Sequence, residues 1–257
     1  MKTAYLALRA SQAHRRQAMI DGLSFLGYKQ VTHPDLLGPP EKSLVVTWNL
    51  HGGRIKQIET HGATVLVAEN AYIQYDKEGR EYVALAKSGH NGSGFTPEGT
   101  QERANRFDIN LEPWKEGGHI LVIGQRGIGS LTMRSPPQWG ERMAAKLRDI
   151  TDRKVVHRFH PGAQNVRQLP PLQEQLDGAH CVVMWASNVA TTALMQGIPV
   201  FYNAPHCVLQ KACGTTLDIE APLKGQRWPA FQDLAAAQWN LEEIASGEAF
   251  QCLIDCK

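Results

Sequence analysis

Five short stretches carry the residue types that could do chemistry, and four of them fall where an apolar run stops. Glu69 and Asn70 close TVLVA, Gly124-Gln125-Arg126-Gly127 follows HILVI, Arg158 to Gly162 (RFHPG) follows VVH, and Ser187-Asn188 follows CVVMWA. In a parallel sheet the carboxyl ends of neighbouring strands share one edge, and ligands bind in the crevice there. A carboxylate at such an end is placed to act as a general base, with His14 and His51 as reserves. Glycines 124 and 127 let backbone N–H groups approach an anion, and Arg126 and Arg158 add charge. His160, Pro161 and Gly162 complete the second turn. Ser187, Asn188, Thr191 and Thr192 add hydroxyl and amide groups at the start of a helix, which suits a phosphorylated ligand. The fifth stretch is polar, GHNGSG, with His90 and Asn91, and reads as a mobile loop at the mouth of a site. Each feature has a plainer reading. Ser187 and Asn188 serve equally as helix caps, and Arg158 and His160 as solvated loop residues.

The elements that must position these groups follow from periodicity. TAYLALR predicts a first strand, and a helix follows from Ser11 to Phe25 with Met19, Ile20, Leu23 and Leu26 on one face. Strands at 29–32, 44–49 and 64–70, with a helix near 54–60, give a βαβ rhythm and a largely parallel sheet. YIQYDKEGREYVALAKS predicts a hairpin turning at Lys77-Glu78-Gly79. LEPWKEGG reads as an interdomain linker. A second βαβ series opens at His119, with a helix from Pro136 to Ile150, strands at 155–159 and 181–186, a helix over 188–196 and a mostly helical tail from Arg227. The fold class expected is α/β, with two Rossmann-like domains facing each other across a cleft. Their expected bounds are 1–113 and 114–257.

Composition narrows the function classes. No apolar run approaches the roughly 20 residues of a membrane span, so no membrane partner is expected. The five cysteines form no close CxxC pair, which favours a reducing cytoplasm. HExxH, zinc-ligand spacing, a Walker loop and GxSxG are all missing, so metal hydrolysis and Ser-triad chemistry are not expected, and the site residues include no metal ligand. A net charge of +2 gives no global field for nucleic acid. Local basic lips make that case instead, one of Arg9, His14, Arg15 and Arg16 and another of Arg54 and Lys56, and an ordinary solvated helix face would look the same.

GQRGIGS (124–130), RFHPG (158–162) and WASNVATTALMQGIPVFY (185–202) resemble the donor domain of GT-B glycosyltransferases. The likeness is to phage-encoded, DNA-modifying members and, more distantly, to capsule-polysaccharide sugar transferases. It covers about 80 residues, and the first half matches only in outline, through AENAYI and GHNGSG. The resemblance implies a nucleotide-sugar co-substrate, a UDP-sugar by preference, with no resident cofactor and no bound metal. Gly124, Gln125, Arg126, Gly127, Arg158, His160, Pro161, Gly162, Ser187, Asn188, Thr191 and Thr192 would hold the donor. Glu69, His14 and His51 would serve catalysis, and Arg9, Arg15, Arg16, Asn70, His90 and Asn91 the acceptor. The phage likeness makes 5-hydroxymethylpyrimidine in DNA the expected acceptor, in host cytoplasm. The rivals are a capsule-type sugar transferase, a sugar-nucleotide epimerase of the same fold, and a non-catalytic DNA-binding relative. The chain departs from the class in its short length and in lacking a clear EX7E carboxylate pair.

Overall fold

A computed structural model of the chain describes residues 2–8, 11–32, 41–48, 52–127, 133–162, 168–215 and 217–255. It is mixed α/β with two sheets, and it divides into two compact units. The first takes in Met1–Asp108 and Phe231–Lys257, the second Ile109–Ile128 and Met133–Ala230.

The first unit opens with β1 (Lys2–Ala7), α1 (Ala13–Phe25), β2 (Tyr28–Thr32), β3 (Leu44–Trp48), α2 (Gly52–Thr60), β4 (Thr64–Tyr75), β5 (Glu81–Lys87) and α3 (Gln101–Ala104). Strands β2, β1, β3 and β4 pair in parallel, and β5 adds antiparallel to β4. Both faces of the sheet are covered, which is why β3 reads as an unbroken apolar run. Leu44, Val46, Trp48, Leu66 and Ala68 pack with Met19 and Leu23 of α1. The alternate residues Val45, Val65 and Val67 pack with Ile55 and Ile58 of α2.

Strand β4 does not stop at Asn70 as the sequence suggests. It runs on to Tyr75, with an irregularity in its pairing after Asn70, and turns at 76–80 into β5. Asp76 closes that turn by accepting the Glu78 and Arg80 amides, both at 3.0 Å.

The second unit holds β6 (His119–Ile123), α4 (Trp139–Arg148), β7 (Lys154–Arg158), α5 (Leu172–Leu176), β8 (Ala179–Met184), α6 (Val189–Met195) and β9 (Val200–Tyr202). The four strands are all parallel, in the order β7-β6-β8-β9. Trp139, Met143, Ala144 and Leu147 of α4 cover Ile120, Val122, Cys181 and Val183. The stretch expected to be a free linker is docked on α6. The Glu112 amide donates to Met195 O at 2.9 Å and the Lys115 amide to Gly197 O at 2.8 Å. Gly197 has φ +74, and a Cβ there would stand 2.0 Å from Pro113 O, so only glycine fits. Arg227 fastens the same stretch. It donates to Glu112 O and Leu194 O and lies 4.2 Å from the centre of the Trp114 ring.

The chain ends with α7 (Arg227–Ala236), β10 (Gln238–Asn240), α8 (Leu241–Ala245) and α9 (Glu248–Asp255). This tail corrects the expected domain bounds. From Phe231 onward it belongs to the first unit, where β10 pairs antiparallel with β5. Trp239, Ile244, Phe250 and Leu253 enter the core on the α1 face. Gln238 also repairs the irregular part of β4: its Oε1 accepts the Tyr72 and Ile73 amides at 3.0 and 3.1 Å. Among the described residues no helix is long and apolar enough to cross a membrane.

Candidate functional site

In the first unit the group with chemistry is Glu69. The parallel pairing of β3 with β4 ends at Trp48 opposite Ala68, so Glu69 is the next residue along the carboxyl edge. Its Oε1 lies 3.5 Å from His90 Nε2. Burial pushes the Glu69 carboxyl up to about 7, and the same cause lowers His90. The Glu69 side chain keeps 26% of its surface exposed.

The loop that brings His90 here was expected to be mobile, and it is instead tightly wound. Ser93 N and Oγ both donate to His90 O, at 2.9 and 2.6 Å, and Phe95 pairs back onto Lys87. Ser88 and Asn91 take positive φ values of 67 and 51. A Cβ on Gly94 would stand 2.5 Å from Lys87 O, and one on Gly89 would meet Ser93 Oγ at the same distance. The Asn91 amide donates to the Tyr72 hydroxyl at 3.0 Å.

Asn70 points to the opposite face of β4, as successive strand residues must. There Arg15 Nη1 donates to Asn70 Oδ1 at 3.0 Å, and Arg15 Nε to Glu81 Oε1 at 2.8 Å. His14 Nε2 lies 2.8 Å from the other Glu81 oxygen. Burial alone would raise the Glu81 carboxyl, but hydrogen bonds from Arg15 and His14 hold it below its usual value. The structure thus gathers His14, Arg15 and Asn70 around Glu81, which sequence reasoning did not single out. It also separates His14 from Glu69 by the thickness of the sheet, so His14 is not a reserve for that base. Arg15 is buried and ion-paired, not part of an open basic lip. Arg16 is exposed on α1. Arg9 and His51 lie outside the described residues.

In the second unit the expected residues sit at the carboxyl edge of the parallel sheet, but not all aim the same way. The Gly124 amide donates to Arg158 O at 2.8 Å, extending the β6–β7 pairing. Gln125 Nε2 donates to Ala186 O, tying the turn after β6 to the turn after β8. Arg126 is exposed. A Cβ on Gly162 would be 3.1 Å from Arg126 Nη1 and 3.4 Å from His160 Nδ1, so these three meet. His160 Nδ1 accepts the Gly162 amide at 2.9 Å, and burial together with the Arg126 charge lowers its pKa. Pro161 and Gly162 form the exposed turn beside them. Gly127 has φ +67.

Four expected donor contacts have other work. Arg158 Nη1 donates to Pro170 O at 2.7 Å and to Gln175 Oε1, which points it toward the α5 side of the sheet. Ser187 Oγ accepts the Val189 amide at 3.3 Å, and buried Thr191 donates to Asn188 Oδ1 at 3.2 Å. These bonds lie within the turn into α6, and Asn188, at the N-cap position, makes no side-chain bond to a helix amide. Thr192 is half-buried on α6. At this edge the exposed residues include Arg126, Pro161 and Gly162, with His160 partly buried beside them.

No protein-family model and no curated protein matches the sequence. Solved structures do match. The Thermosulfurimonas dismutans KpsC, beta Kdo 2,7 transferase aligns over 99% of this chain and 99% of its own, with a TM-score of 0.56 at 12% identity. The beta Kdo 2,4 transferase of the same KpsC aligns over 93% of this chain and 92% of its own, with a TM-score of 0.54 at 12% identity. This chain shares their fold.

Several residues at these edges carry no obvious signal in sequence. His157 is one: its Nε2 is buried without a partner, in space that glycines leave free. A Cβ on Gly140 would be 2.4 Å from that nitrogen, and one on Gly124 3.0 Å. Trp139 Nε1 donates to Asn203 Oδ1 at 3.0 Å, Trp185 Nε1 to Met133 O at 2.6 Å, and the two indoles meet edge to face at 5.8 Å. Spacing alone could have paired 157 with 159 on one strand face, but not 157 with Gly140. Among the described residues no group of three or more His, Cys, Asp or Glu side chains is placed to hold a metal ion.

Proposed function

We propose that this protein is a glycosyltransferase that moves a sugar from a nucleotide-linked donor to a hydroxyl acceptor, with Glu69 as general base. The observation that carries the reading is the Glu69–His90 pair, 3.5 Å apart at the carboxyl edge of a parallel sheet, where burial pushes the Glu69 carboxyl up to about 7. The best general base has a pKa near the working pH. The shared fold with two named Kdo transferases supports a sugar as the group transferred.

The chemistry balances simply. The acceptor oxygen forms a bond to the anomeric carbon while the bond from that carbon to the donor phosphate breaks. The acceptor proton goes to Glu69, which neutral His90 keeps in place. The electron pair leaves with the donor phosphate; within the second unit, taken by itself, exposed Arg126 beside His160 is the group suited to hold such an anion. A uridine-linked donor remains our first choice. For the acceptor, DNA loses support, because Arg15 is taken up by Glu81. A saccharide hydroxyl is the reading we take.

The test is mass spectrometry of saccharide acceptors, and of hydroxymethylated DNA, after incubation with a panel of nucleotide-linked sugars that includes an activated Kdo. A glycosyl-sized gain on a saccharide is expected, reduced about 10²- to 10⁴-fold in Glu69→Gln. A gain on DNA alone would reinstate that acceptor. No gain on any acceptor, with no thermal stabilisation by any donor, would refute the transferase.

A further inference from the structure

Phe159 is the residue after β7, between Arg158 and His160, and its side chain is 42% exposed. An exposed phenyl at a strand end is ordinary when the ring is free to lie down on nearby apolar surface. This one packs against a histidine ring. Its ring centre lies 4.3 Å from that of His157, at 56° between the planes. The two side chains leave β7 on the same face, two residues apart. His157 is fixed in turn, because its ring fills the gap that Gly124 and Gly140 leave open. Gly124 matters twice: a Cβ there would also come within 3.5 Å of Phe159 Cα. So a backbone turn without side-chain cover runs past a braced aromatic ring. Beside the ring, the next residue, His160, meets Arg126 and Gly162.

A flat apolar face next to the exposed guanidinium of Arg126 is complementary to a flat aromatic group that carries phosphate. We propose that Phe159 is the platform on which the nucleobase of a nucleotide stacks, with the phosphate toward Arg126 and His160. This rests on the donor-site reading above and adds to it the group that binds the base. Every base has a π-face, so stacking of this kind gives affinity without choosing among bases. It predicts broad nucleotide binding by this unit, with base selection left to other groups.

The experiment is calorimetric titration of the full chain with UDP, UMP and CMP, and with ribose 5-phosphate and pyrophosphate as base-free probes. Base stacking contributes enough that Phe159→Ala should weaken every nucleotide about 5- to 150-fold. It should leave the base-free probes unchanged, which also shows that the variant is folded. Phe159→Trp should keep nucleotide affinity, and its indole emission should change as the base docks. If nucleotides bind the wild type and Phe159→Ala equally, or if base-free probes weaken in parallel, the platform is refuted while the donor site stands. If the wild type binds no nucleotide, both fall.

Discussion

At the scale of single residues, position in the strand pleat decides role. Glu69 and Asn70 are neighbours in sequence, yet one faces His90 and the other joins the Arg15–Glu81 network. The carboxyl of Glu69 has burial acting on it and, among the described residues, no Lys or Arg paired to it as Arg15 is to Glu81, so its proton is held to higher pH. Two consequences follow. Transfer should rise with pH through about 7, as the base form appears, and Glu69→Gln should abolish that limb of the pH–rate profile. Stability runs the other way. A raised carboxyl favours the folded state fully below about 4.5, and this contribution is lost as pH climbs through about 7. Glu69→Gln should therefore match the wild type near pH 4 and exceed it at pH 8, by up to about 3 kcal/mol, less what the open quarter of the side chain recovers from solvent. Denaturant titrations at the two pH values measure it, and equal stabilities at pH 8 would mean the carboxyl is not buried as described. Arg158 and Arg126 make a second contrast. Arg158→Ala removes bonds to Pro170 O and Gln175, so it should lower stability by about 1–2 kcal/mol and leave nucleotide affinity unchanged. Arg126→Ala should do the reverse, weakening nucleotides roughly tenfold or more. Titration of both variants with UDP separates the two roles.

At the scale of elements, the loop from Ser88 to Gly94 shows what composition hides. Gly, Ser and Asn are read as mobility, but here they permit tight winding: positive φ at Ser88, Asn91 and Gly92, and close backbone approach at Gly89 and Gly94. Gly94 does not need a left-handed φ, so alanine there fails for lack of space alone. Gly94→Ala puts a methyl 2.5 Å from Lys87 O and 2.6 Å from Gly89 O. The loop must unwind, at about 1–3 kcal/mol, and carry His90 away from Glu69. The expected signature is faster amide exchange confined to residues 88–95, together with a fall in kcat and little change in nucleotide binding. Slow exchange with full activity would show that His90 does not need this loop. The sequence does announce the strands and helices that carry the site, because β3, the first half of β4, β6 and β8 are apolar-rich runs of strand length and α4 keeps one apolar stripe. It does not say which face of β7 carries Arg158, since that depends on α4 covering one side while Pro170 O and Gln175 meet the guanidinium on the other. Ser187 and Asn188 are legible as caps and as ligands alike; Ser187 Oγ accepts the Val189 amide, whereas Asn188 Oδ1 accepts from the Thr191 hydroxyl and caps no helix amide.

At the scale of the whole chain, local pattern fails because the decisive contacts are remote in sequence. QWN at Gln238–Asn240 is too short and too mixed to read as a strand. It becomes one because β5 offers an unpaired edge more than 150 residues earlier, where Trp239 pairs with Val83. The same remoteness explains Gly22: a Cβ there would lie 1.9 Å from Ile244 O, so α1 and α8 meet backbone to backbone. Arg103 ties the two ends of the unit once more, donating to Ala235 O, Gln238 O and Glu243 across the Trp239 ring. The second unit is thus inserted between two parts of the first. Ending the chain at Ala230 would remove β10, α8 and α9 and leave β5 as a bare edge. It would also strip Trp239, Ile244, Phe250 and Leu253 from the core, together about 6–12 kcal/mol of burial at roughly 1.5–3 each. That is comparable with the whole stability of a domain, about 5–15 kcal/mol. The shortened chain should lose native packing in its first unit while residues 109–230 keep theirs. Amide exchange should then show protection in β6 and β8 but none in β1, β3 and β4, with dye-binding apolar surface exposed. Protection of β3 and β4 at full-length levels would mean that the first unit folds without its returning tail.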